Sequence, residues 1–541
     1  MNASRSPTFA DDLNLANYFL FDRLKEGFGS KKAVLFGERS WTYDEVADKT
    51  RRMVDVLAGA GVRRGERVLV ILPDVPPFAW TFFGALGRGA VIAMGNPQAV
   101  PETLEYLVGY TRATAIVTVP AVAKLLRPLV EGAGSEVQVM LVVPDAATGS
   151  DPEAAVTDVE LGGRVRELAP ALAAARPAEL TKVHRDEPAI WLFTSGSTGE
   201  PKANVHTHRD FAFNTEVYAK NTVGYRKDDV TVSVPRLFFG YATGTNLMFP
   251  FAVGATTGLF SERPTPESVA RAITMYKATI TTNVPTMLGK LLEHDDELKK
   301  AGKGGLDLTS VRFSLSAGEA LPEPLLRRWL ERTSSDVYDG IGSAEMFHIY
   351  ASNRPGDIKP GSLGKVVEGY ELRVLPEDAE GPGAAPCAPG EIGVLWVRGD
   401  SVSQQYWLDR DKSWKVFHGH WCRTGDLFKV DESGYLYFAG RSDDLLKVGG
   451  QWVAPLEVEE CLLEHPGVAA CAVIGVEEEG LVKTKAFIVK RAGHSPTEKE
   501  IQDFVRGKLT TYKYPRLVEF VDDLPKNDRG KVDKKALKAR A

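Results

Sequence analysis

A short apolar run at residues 188–193 leads directly into a segment of hydroxyl residues and glycines that closes with Lys202. Such a run is typical of a buried strand. Glycines let the backbone point several amide groups toward one place, and a cluster of these donors binds polyanions. The segment predicts a triphosphate site. Its predicted contact residues are Thr194, Ser195, Gly196, Ser197, Thr198, Gly199 and Lys202.

A solvent-exposed turn is the alternative interpretation of the same residues. A Walker A loop is excluded, because Gly196, Gly199 and Lys202 do not have its spacing and the lysine is followed by Ala203 instead of a hydroxyl residue. The segment is therefore interpreted as a phosphate-binding loop of another kind.

Around this loop the chain alternates strand and helix patterns. Buried strands are predicted at 67–72, 115–119 and 137–143, with helical segments between them. This alternation predicts an α/β fold in which parallel sheets are flanked by helices. Short strands and turns at 358–440 predict a small β subdomain. The pattern of strands and helices in the last 100 or so residues predicts a small α+β module. The domains are therefore expected at 1–440 and 441–541.

Composition excludes several functional classes. The 541 residues carry 66 basic and 72 acidic side chains without a basic block, which excludes nucleic acid as a partner. The uncharged stretch 238–260 is interrupted by four glycines and Pro250, so we expect a buried pocket wall and no membrane span. The four cysteines form no CxxC pair, and the start shows no secretory signal, so a cytoplasmic protein is expected.

Glycine and carboxylate occur together in further segments. Gly318 and Glu319 follow a predicted strand, at the end where α/β folds place ligand contacts. Glu345 follows a glycine-rich loop at 338–343. Alone it is interpreted as a helix-cap acid; beside a triphosphate it is a candidate ligand for Mg²⁺, which prefers oxygen.

Two candidates come later in the chain. Asp426, in the run 421–426, is either a turn aspartate or an acceptor for ribose hydroxyls. Lys531 lies near the C-terminus, where a lysine is usually a solvent-exposed charge. His206 and His208 are expected to be surface or structural residues, since the sequence offers no third metal ligand beside them.

Taken together, these segments resemble the acyl-adenylate-forming superfamily, which includes acyl- and aryl-CoA synthetases, carrier-protein adenylation domains and luciferases. The glycine loop, the TGD run at 424–426, the GRSDD run at 440–444 and the lysines at 526 and 531 occur in the family's order. The runs 234–244 and 345–350 are similar to benzoate–CoA ligases and to relatives that activate 2-aminobenzoate.

One position departs from the family pattern. Ala344 occupies a site where the family usually has threonine, so a hydroxyl near the α-phosphate is missing and Ser343 or Thr198 is expected to compensate.

The resemblance implies ATP-dependent activation of an aromatic acid through an acyl-AMP intermediate, with ATP, Mg²⁺ and CoA as cofactor and co-substrates. It implies catalytic roles for Lys531, Glu345 (on Mg²⁺) and Lys202, and a hinge at Asp443 that lets a small mobile C-terminal domain rotate. The implied nucleotide contacts, beyond the glycine loop, are Gly318, Glu319, Asp339, Gly340, Ile341, Asp426 and Arg441. The implied acyl-pocket residues are Phe239, Tyr241, Ala242, Gly318, Gly342 and His348. The residues implied near CoA are Lys447, Gly449 and Gly450.

Two alternative functions stay open at this point. One is an aryl-acid adenylating enzyme that loads the thiol of a separate carrier protein. The other is a nucleotide-binding regulator without turnover, against which the pairing of Glu345 with Lys531 argues. The sequence leaves the oligomeric state open, with a homodimer as one option.

Overall fold

The structure is a computed structural model that describes residues 6–195, 200–319, 321–448, 451–478, 481–525 and 532–540. By compactness the chain divides into two units. The large unit comprises Met1–Leu372 and Val397–Cys422, and the small unit comprises Arg373–Trp396 and Arg423–Ala541. The boundary predicted at residue 440 is where a mobile C-terminal domain would begin, and it stays a prediction.

The strands of the described residues are β1 (Lys32–Phe36), β2 (Arg39–Thr42), β3 (Arg67–Ile71), β4 (Val91–Met94), β5 (Ala113–Thr118), β6 (Val139–Val142), β7 (Val165–Glu167), β8 (Pro188–Ser195), β9 (Pro201–Thr207), β10 (Val230–Ser233), β11 (Thr256–Leu259), β12 (Ile280–Asn283), β13 (Phe313–Ser316), β14 (Asp336–Gly342), β15 (Ile349–Ser352), β16 (Lys365–Val366), β17 (Glu371–Leu375), β18 (Gly393–Arg398), β19 (Gln405–Tyr406), β20 (Phe417–His418), β21 (Trp421–Val430), β22 (Leu436–Arg441), β23 (Leu446–Val448), β24 (Gln451–Val453), β25 (Val468–Glu478), β26 (Leu481–Lys490) and β27 (Leu517–Val521).

The α-helices are α1 (Asp22–Lys25), α2 (Tyr43–Gly59), α3 (Pro77–Gly87), α4 (Pro101–Thr111), α5 (Pro120–Glu131), α6 (Leu168–Ala174), α7 (His208–Asn214), α8 (Gly240–Thr243), α9 (Phe249–Ala252), α10 (Pro266–Tyr276), α11 (Pro285–Lys300), α12 (Glu323–Thr333), α13 (Arg410–Val416), α14 (Pro455–Leu463), α15 (Glu498–Lys508) and α16 (Lys534–Arg540). Short π-helices occur at Asn17–Phe21, Thr215–Lys220 and Gly244–Met248, and 3-10 turns at Ala344–Met346 and Ser442–Asp444.

Two large sheets form the centre of the large unit. One has eight strands in the order β19-β9-β8-β4-β3-β5-β6-β7, and the other has nine in the order β16-β15-β14-β13-β12-β10-β11-β1-β2. Strands β3 to β6 pair in parallel, as do β10 to β14. Parallel strands are covered by helices on both faces, which explains why β3, β4 and β5 are apolar and buried along nearly their whole length. The predicted α/β class is confirmed.

Local sequence determines where the helices of the large unit begin. Thr42 and Glu45 form a reciprocal capping box at the start of α2, as their spacing predicts. Helix α3 is apolar around its whole circumference, and each of its residues is buried. The uncharged stretch 238–260 forms α8, a π-helix, α9 and β11, most of it buried. Among the described residues, no helix is both long and apolar enough to cross a membrane.

The small unit contains a separate core. Strands β25 and β26 pair antiparallel along their length, and β27 pairs in parallel with β26. Helices α14 and α15 contribute buried residues to the apolar cluster on this sheet, among them Val458, Leu462, Ile501 and Val505. Strand β21 pairs antiparallel with β22, with Asp426 opposite Arg441. A core of its own is what a domain needs to fold independently.

Candidate active site

Strands β8 and β9 form the hairpin that carries the predicted phosphate loop. The strands are antiparallel, with Thr194 opposite Lys202 and Ser195 opposite Pro201. The predicted contacts Gly196, Ser197, Thr198 and Gly199 lie outside the described residues. The register brings Lys202 beside the strand end from which the loop leaves.

Lys202 is bound to a carboxylate. Its Nζ lies 2.7 Å from Oδ2 of Asp409, and both side chains are largely buried. Hydrogen bonding from Lys202 holds the pKa of Asp409 below its usual range. Asp409 also caps α13 by accepting from the amide of Lys412 at 3.2 Å. A phosphate that binds Lys202 must therefore share this cation with Asp409.

The turn at Ala344–Met346 holds Glu345, and each of its three carbonyls has a donor. The carbonyl of Ala344 lies 2.6 Å from Nε2 of His206. The carbonyl of Glu345 accepts from the amide of Ser403 at 2.8 Å. The carbonyl of Met346 accepts from the hydroxyl of Ser401 at 2.9 Å. The main chain of this turn is fixed by β9 and by residues 401–403.

The carboxylate of Glu345 is fixed as well. Its Oε1 accepts from the hydroxyl of Tyr406 at 2.7 Å. Tyr406 lies on β19, which pairs with β9 so that Tyr406 is opposite Asn204. Just after the turn, Phe347 has φ of 68°, a conformation that costs free energy for a side chain of this size. The surrounding hydrogen bonds hold the strained turn in place.

The Glu345 carboxylate fits a nucleotide-bound Mg²⁺. Among residues with described positions, no group of three or more histidine, cysteine, aspartate or glutamate side chains is arranged to hold a metal ion. Magnesium in nucleotide sites is bound through one or two carboxylates and the substrate's phosphates, without an all-protein cage. A single carboxylate oriented by one hydroxyl meets that requirement.

Strands β13 and β14 carry the predicted nucleotide contacts. Asp339 is 4% exposed, and burial raises its pKa to about 7. Gly340 is opposite Ser352, and a Cβ at Gly340 would lie 2.8 Å from the carbonyl oxygen of Ala351. Ile341 follows on the same strand and is half-buried. The buried Asp339 and the Cβ-free Gly340 lie at the carboxyl end of a parallel strand, where α/β folds bind ligands.

Gly318 and Glu319 follow β13. Gly318 is exposed with φ of 88°, which favours glycine. Oε2 of Glu319 accepts from the hydroxyl of Thr286 at 2.7 Å and from its amide at 3.2 Å. Glu319 thus holds the first turn of α11, and its predicted contact with adenine stays a prediction.

The predicted acyl-pocket residues lie on α8 and around β14 and β15. Phe239 is 54% exposed, whereas Ala242 and His348 are buried. Nε2 of His348 donates to the carbonyl of Tyr241 at 3.0 Å. A Cβ at Gly342 would lie 2.5 Å from the carbonyl oxygen of His348, so only glycine fits there.

Aromatic rings enclose His348. Its ring centre lies 4.7 Å from that of Phe249, 5.3 Å from those of Tyr241 and Phe347, and 5.5 Å from that of Tyr218. Burial lowers the pKa of His348 to about 3, so the imidazole is neutral. Because Nε2 carries the proton, Nδ1 is the acceptor, and no described residue donates to it.

In the small unit, two predicted nucleotide contacts, Asp426 and Arg441, bind each other. Nη1 of Arg441 lies 2.7 Å from Oδ1 of Asp426. Lys447 is exposed on β23. The backbone of Asp443 forms the middle of a 3-10 turn. Gly449, Gly450 and Lys531 lie outside the described residues.

Comparisons with known proteins identify the family of this chain. The family described as AMP-binding enzyme matches residues 21–407, and the AMP-binding enzyme C-terminal domain matches residues 457–531. The chain belongs to the AMP-binding enzyme family.

The similarity of this AMP-binding enzyme to known CoA ligases extends over nearly its whole length. It is 39% identical to a benzoate–CoA ligase of Thauera aromatica, with 97% of this chain and 96% of the relative covered. It is similar to a crystal structure of an anthranilate CoA ligase in complex with anthranoyl-AMP, at 34% identity, TM-score 0.83 and 99% coverage of both chains. A benzoate CoA ligase structure from Burkholderia xenovorans LB400 has 34% identity and a TM-score of 0.79, with 97% of this chain and 99% of that one covered.

Several side chains of this AMP-binding enzyme escaped the sequence analysis. Tyr406 and Asp409 contact Glu345 and Lys202 from sequence separations of 61 and 207 residues. No motif marks them. His206 was expected to be a surface or structural residue and is fully buried. The one available signal was the spacing from His206 to Asp210, which links a strand end to the first turn of a helix.

Proposed function

We propose that this AMP-binding enzyme is an ATP-dependent aryl-CoA ligase. It joins benzoate or a ring-substituted benzoate, 2-aminobenzoate among them, to CoA through an aryl-AMP intermediate and releases AMP and pyrophosphate. The observation that carries the proposal is the full-length similarity to the Thauera aromatica benzoate–CoA ligase, at 39% identity.

In the first step, the substrate carboxylate attacks the α-phosphorus of ATP and pyrophosphate leaves. Negative charge gathers on phosphoryl oxygens, so positioning and positive charge supply most of the catalysis. Lys202 contacts the β- and γ-phosphates beside the hairpin end. Glu345, oriented by Tyr406, holds Mg²⁺, which offsets phosphate charge when bound. The proposed role of Lys531 is to offset, with its ammonium charge, negative charge on the carboxylate and the α-phosphate.

The acid binds against α8 and the turn after β14. Apolar walls with a few polar groups are typical of sites for small aromatic ligands. The small side chain of Ala242 leaves room for a ring substituent, whereas Gly342 makes room for the main-chain carbonyl of His348. His348 is neutral in its aromatic surroundings, so it offers no positive charge that would bind the carboxylate and divert it from the α-phosphorus.

In the second step, the CoA thiolate attacks the aryl-AMP carbonyl and AMP leaves. Lys531 is not needed there. Asp443 is the proposed hinge between the two steps, and Lys447, Gly449 and Gly450 are the proposed contacts for CoA. Hinges of this kind absorb the change at few backbone positions.

The test separates the two steps. Enzyme, ATP, Mg²⁺ and benzoate without CoA are expected to form one equivalent of aryl-AMP and pyrophosphate, and added CoA is expected to give the thioester. A panel of benzoate, 2-aminobenzoate, 4-hydroxybenzoate and an aliphatic acid defines the substrate. Preference for the aliphatic acid, or aryl-AMP that reacts with a carrier-protein thiol but not with CoA, would overturn the proposal.

A further inference from the structure

His206 is a buried histidine with a partner on each ring nitrogen. Its side chain has no exposed surface. Nδ1 lies 2.8 Å from Oδ2 of Asp210, and Nε2 lies 2.6 Å from the carbonyl oxygen of Ala344. Asp210 is itself 3% exposed. The Asp210 carboxylate, the His206 ring and the Ala344 carbonyl form a continuous hydrogen-bonded chain from α7 to the turn that carries Glu345.

Both partners of His206 are acceptors. A peptide carbonyl has no proton to give, and the Asp210 carboxylate already accepts from the amide of Thr207 at 3.0 Å and from the Thr207 hydroxyl. An imidazole can donate from both nitrogens only when both carry a proton. Nε2 can only donate to the Ala344 carbonyl, so the contact that holds the turn is a hydrogen bond from the ring to the main chain.

His208, two residues away, shows the contrast. It is 1% exposed, and its Nδ1 accepts from the amide of Leu15 at 3.2 Å. Burial lowers its pKa to about 4, so it is neutral. Two equally buried histidines in one segment thus have opposite hydrogen-bonding roles. His208 ties the N-terminal segment to α7, whereas His206 points toward Glu345.

We infer that His206, oriented by Asp210, is a positioning residue that fixes the main chain at Ala344 and so directs the Glu345 carboxylate toward Mg²⁺·ATP. This inference rests on the function proposed above. Glu345 is the next residue after the carbonyl that His206 holds, so a shift of that carbonyl rotates the Glu345 side chain. Removal of a residue that orients a metal ligand without touching the metal typically changes metal affinity about 10- to 100-fold.

The test measures binding without turnover. Calorimetry follows ATP binding at increasing free Mg²⁺, in the absence of acid and CoA, for the wild type, His206→Leu, His206→Gln and the matched control His208→Leu. In His206→Leu the half-saturating Mg²⁺ concentration is expected to rise about tenfold or more. In His206→Gln it is expected to stay within about threefold of the wild type, because the amide still donates to the Ala344 carbonyl. His208→Leu is expected to lower the melting temperature without changing the Mg²⁺ requirement.

A folded His206→Leu variant with the wild-type Mg²⁺ requirement would overturn the inference. If that variant does not fold, the wild type decides: ¹⁵N-histidine NMR is expected to show a proton on Nε2 of His206, assigned by the signal lost in His206→Gln. A His206 ring without a proton on Nε2 would overturn the inference, because it could not donate to the Ala344 carbonyl. Failure of the wild type to form aryl-AMP would instead contradict the proposed function, and the NMR result would stand independently of it.

Discussion

The hydroxyl of Tyr406 donates to Oε1 of Glu345 over 2.7 Å, across a sequence separation of 61 residues. Tyr406 is 3% exposed, so little water competes for the carboxylate on that side. A hydrogen bond to a charged group contributes about 1.5–3 kcal/mol. This bond is therefore large enough to determine which way Glu345 points.

We expect Tyr406→Phe to weaken Mg²⁺·ATP binding about tenfold, because the ring packing on Phe417 remains and the orienting donor is lost. Calorimetric titration of ATP at fixed Mg²⁺ measures the change. Tyr276→Phe is the matched control, since its hydroxyl donates to the Leu259 carbonyl at 2.7 Å, and we expect it to affect stability alone. Unchanged ATP affinity in a folded Tyr406→Phe enzyme would contradict the role given to Tyr406.

The pair formed by Lys202 and Asp409 predicts opposite effects of two substitutions. Asp409→Asn keeps the helix cap, because asparagine caps as well as aspartate does, but removes the charge that holds Lys202. We expect ATP to bind about 1.4- to fivefold more tightly, which corresponds to an ion pair of about 0.2–1 kcal/mol. Lys202→Met is expected to weaken ATP binding about tenfold or more. Equilibrium binding of ATP measures both, and a loss of affinity in both variants would show that Lys202 serves the fold and not the phosphates.

Asp339 predicts a pH dependence of stability. Burial raises its folded-state pKa from 3.8 to about 7, so between these values the folded protein keeps a proton that the unfolded chain has lost. The free energy of unfolding therefore falls as pH rises from about 4 to 7, by up to about 1.4 kcal/mol per pH unit. Below pH 4 and above pH 7 this contribution is constant.

Asp339→Asn stays neutral, so we expect it to lose less thermal stability than the wild type between pH 5 and pH 7.5. Melting temperatures at the two values measure the difference. The control is Asp295→Asn: hydrogen bonding from Arg332 holds the pKa of Asp295 well below its usual range, so its stabilising effect is lost only in more acidic solution. We expect that variant to be destabilised equally at both pH values. Equal pH sensitivity in Asp339→Asn and wild type would refute this assignment.

Lys531→Ala is expected to lower the rate of aryl-AMP formation about 100-fold or more, since it removes a positive charge from the transition state. Conversion of supplied aryl-AMP to the thioester is expected to stay within a few-fold of the wild type, because the lysine is not needed in the second step. Single-turnover assays of each step make the comparison, with the exposed Lys538→Ala as control. Equal loss in both steps would rule out the role assigned to Lys531.

Asp443→Pro tests the predicted hinge. Proline fixes φ near −65°, so a backbone rotation at this position is restricted. We expect thioester formation to slow more than aryl-AMP formation, whereas Asp443→Ala is expected to keep the ratio of the two rates near that of the wild type. The same single-turnover assays measure both. If Asp443→Pro leaves both rates intact, the hinge lies elsewhere.

Local patterns predicted the elements well. The buried strands β3, β5 and β6 each depend on neighbouring residues, and each was found near its predicted position. Family membership was predicted from motifs that keep their order along the chain, and it is confirmed. Spacing and residue type are sufficient for both, because each is a property of a short segment.

The environment of the site could not be predicted in this way. Tyr406 reaches Glu345 because a two-residue strand joins the edge of the β8–β9 hairpin, a pairing that no periodicity encodes. For a similar reason the sequence did not decide between a surface and a structural position for His206 and His208, and both are buried. Strand β9 is buried along most of its length on both faces. An alternating pattern of apolar and polar residues therefore cannot show which of its polar residues lie inside.

The division of the large unit into Met1–Leu372 and Val397–Cys422 has a consequence for synthesis on the ribosome. The turn carrying Glu345 emerges first, but its clamp from Ser401 to Tyr406 follows only after residues 373–396 of the other unit have been made. At about 5–20 residues per second, the nascent chain waits roughly 3–12 s between Glu345 and Tyr406. During that interval Glu345 has no tyrosine to orient it, so the orientation of this carboxylate is completed only after part of the small unit has been made.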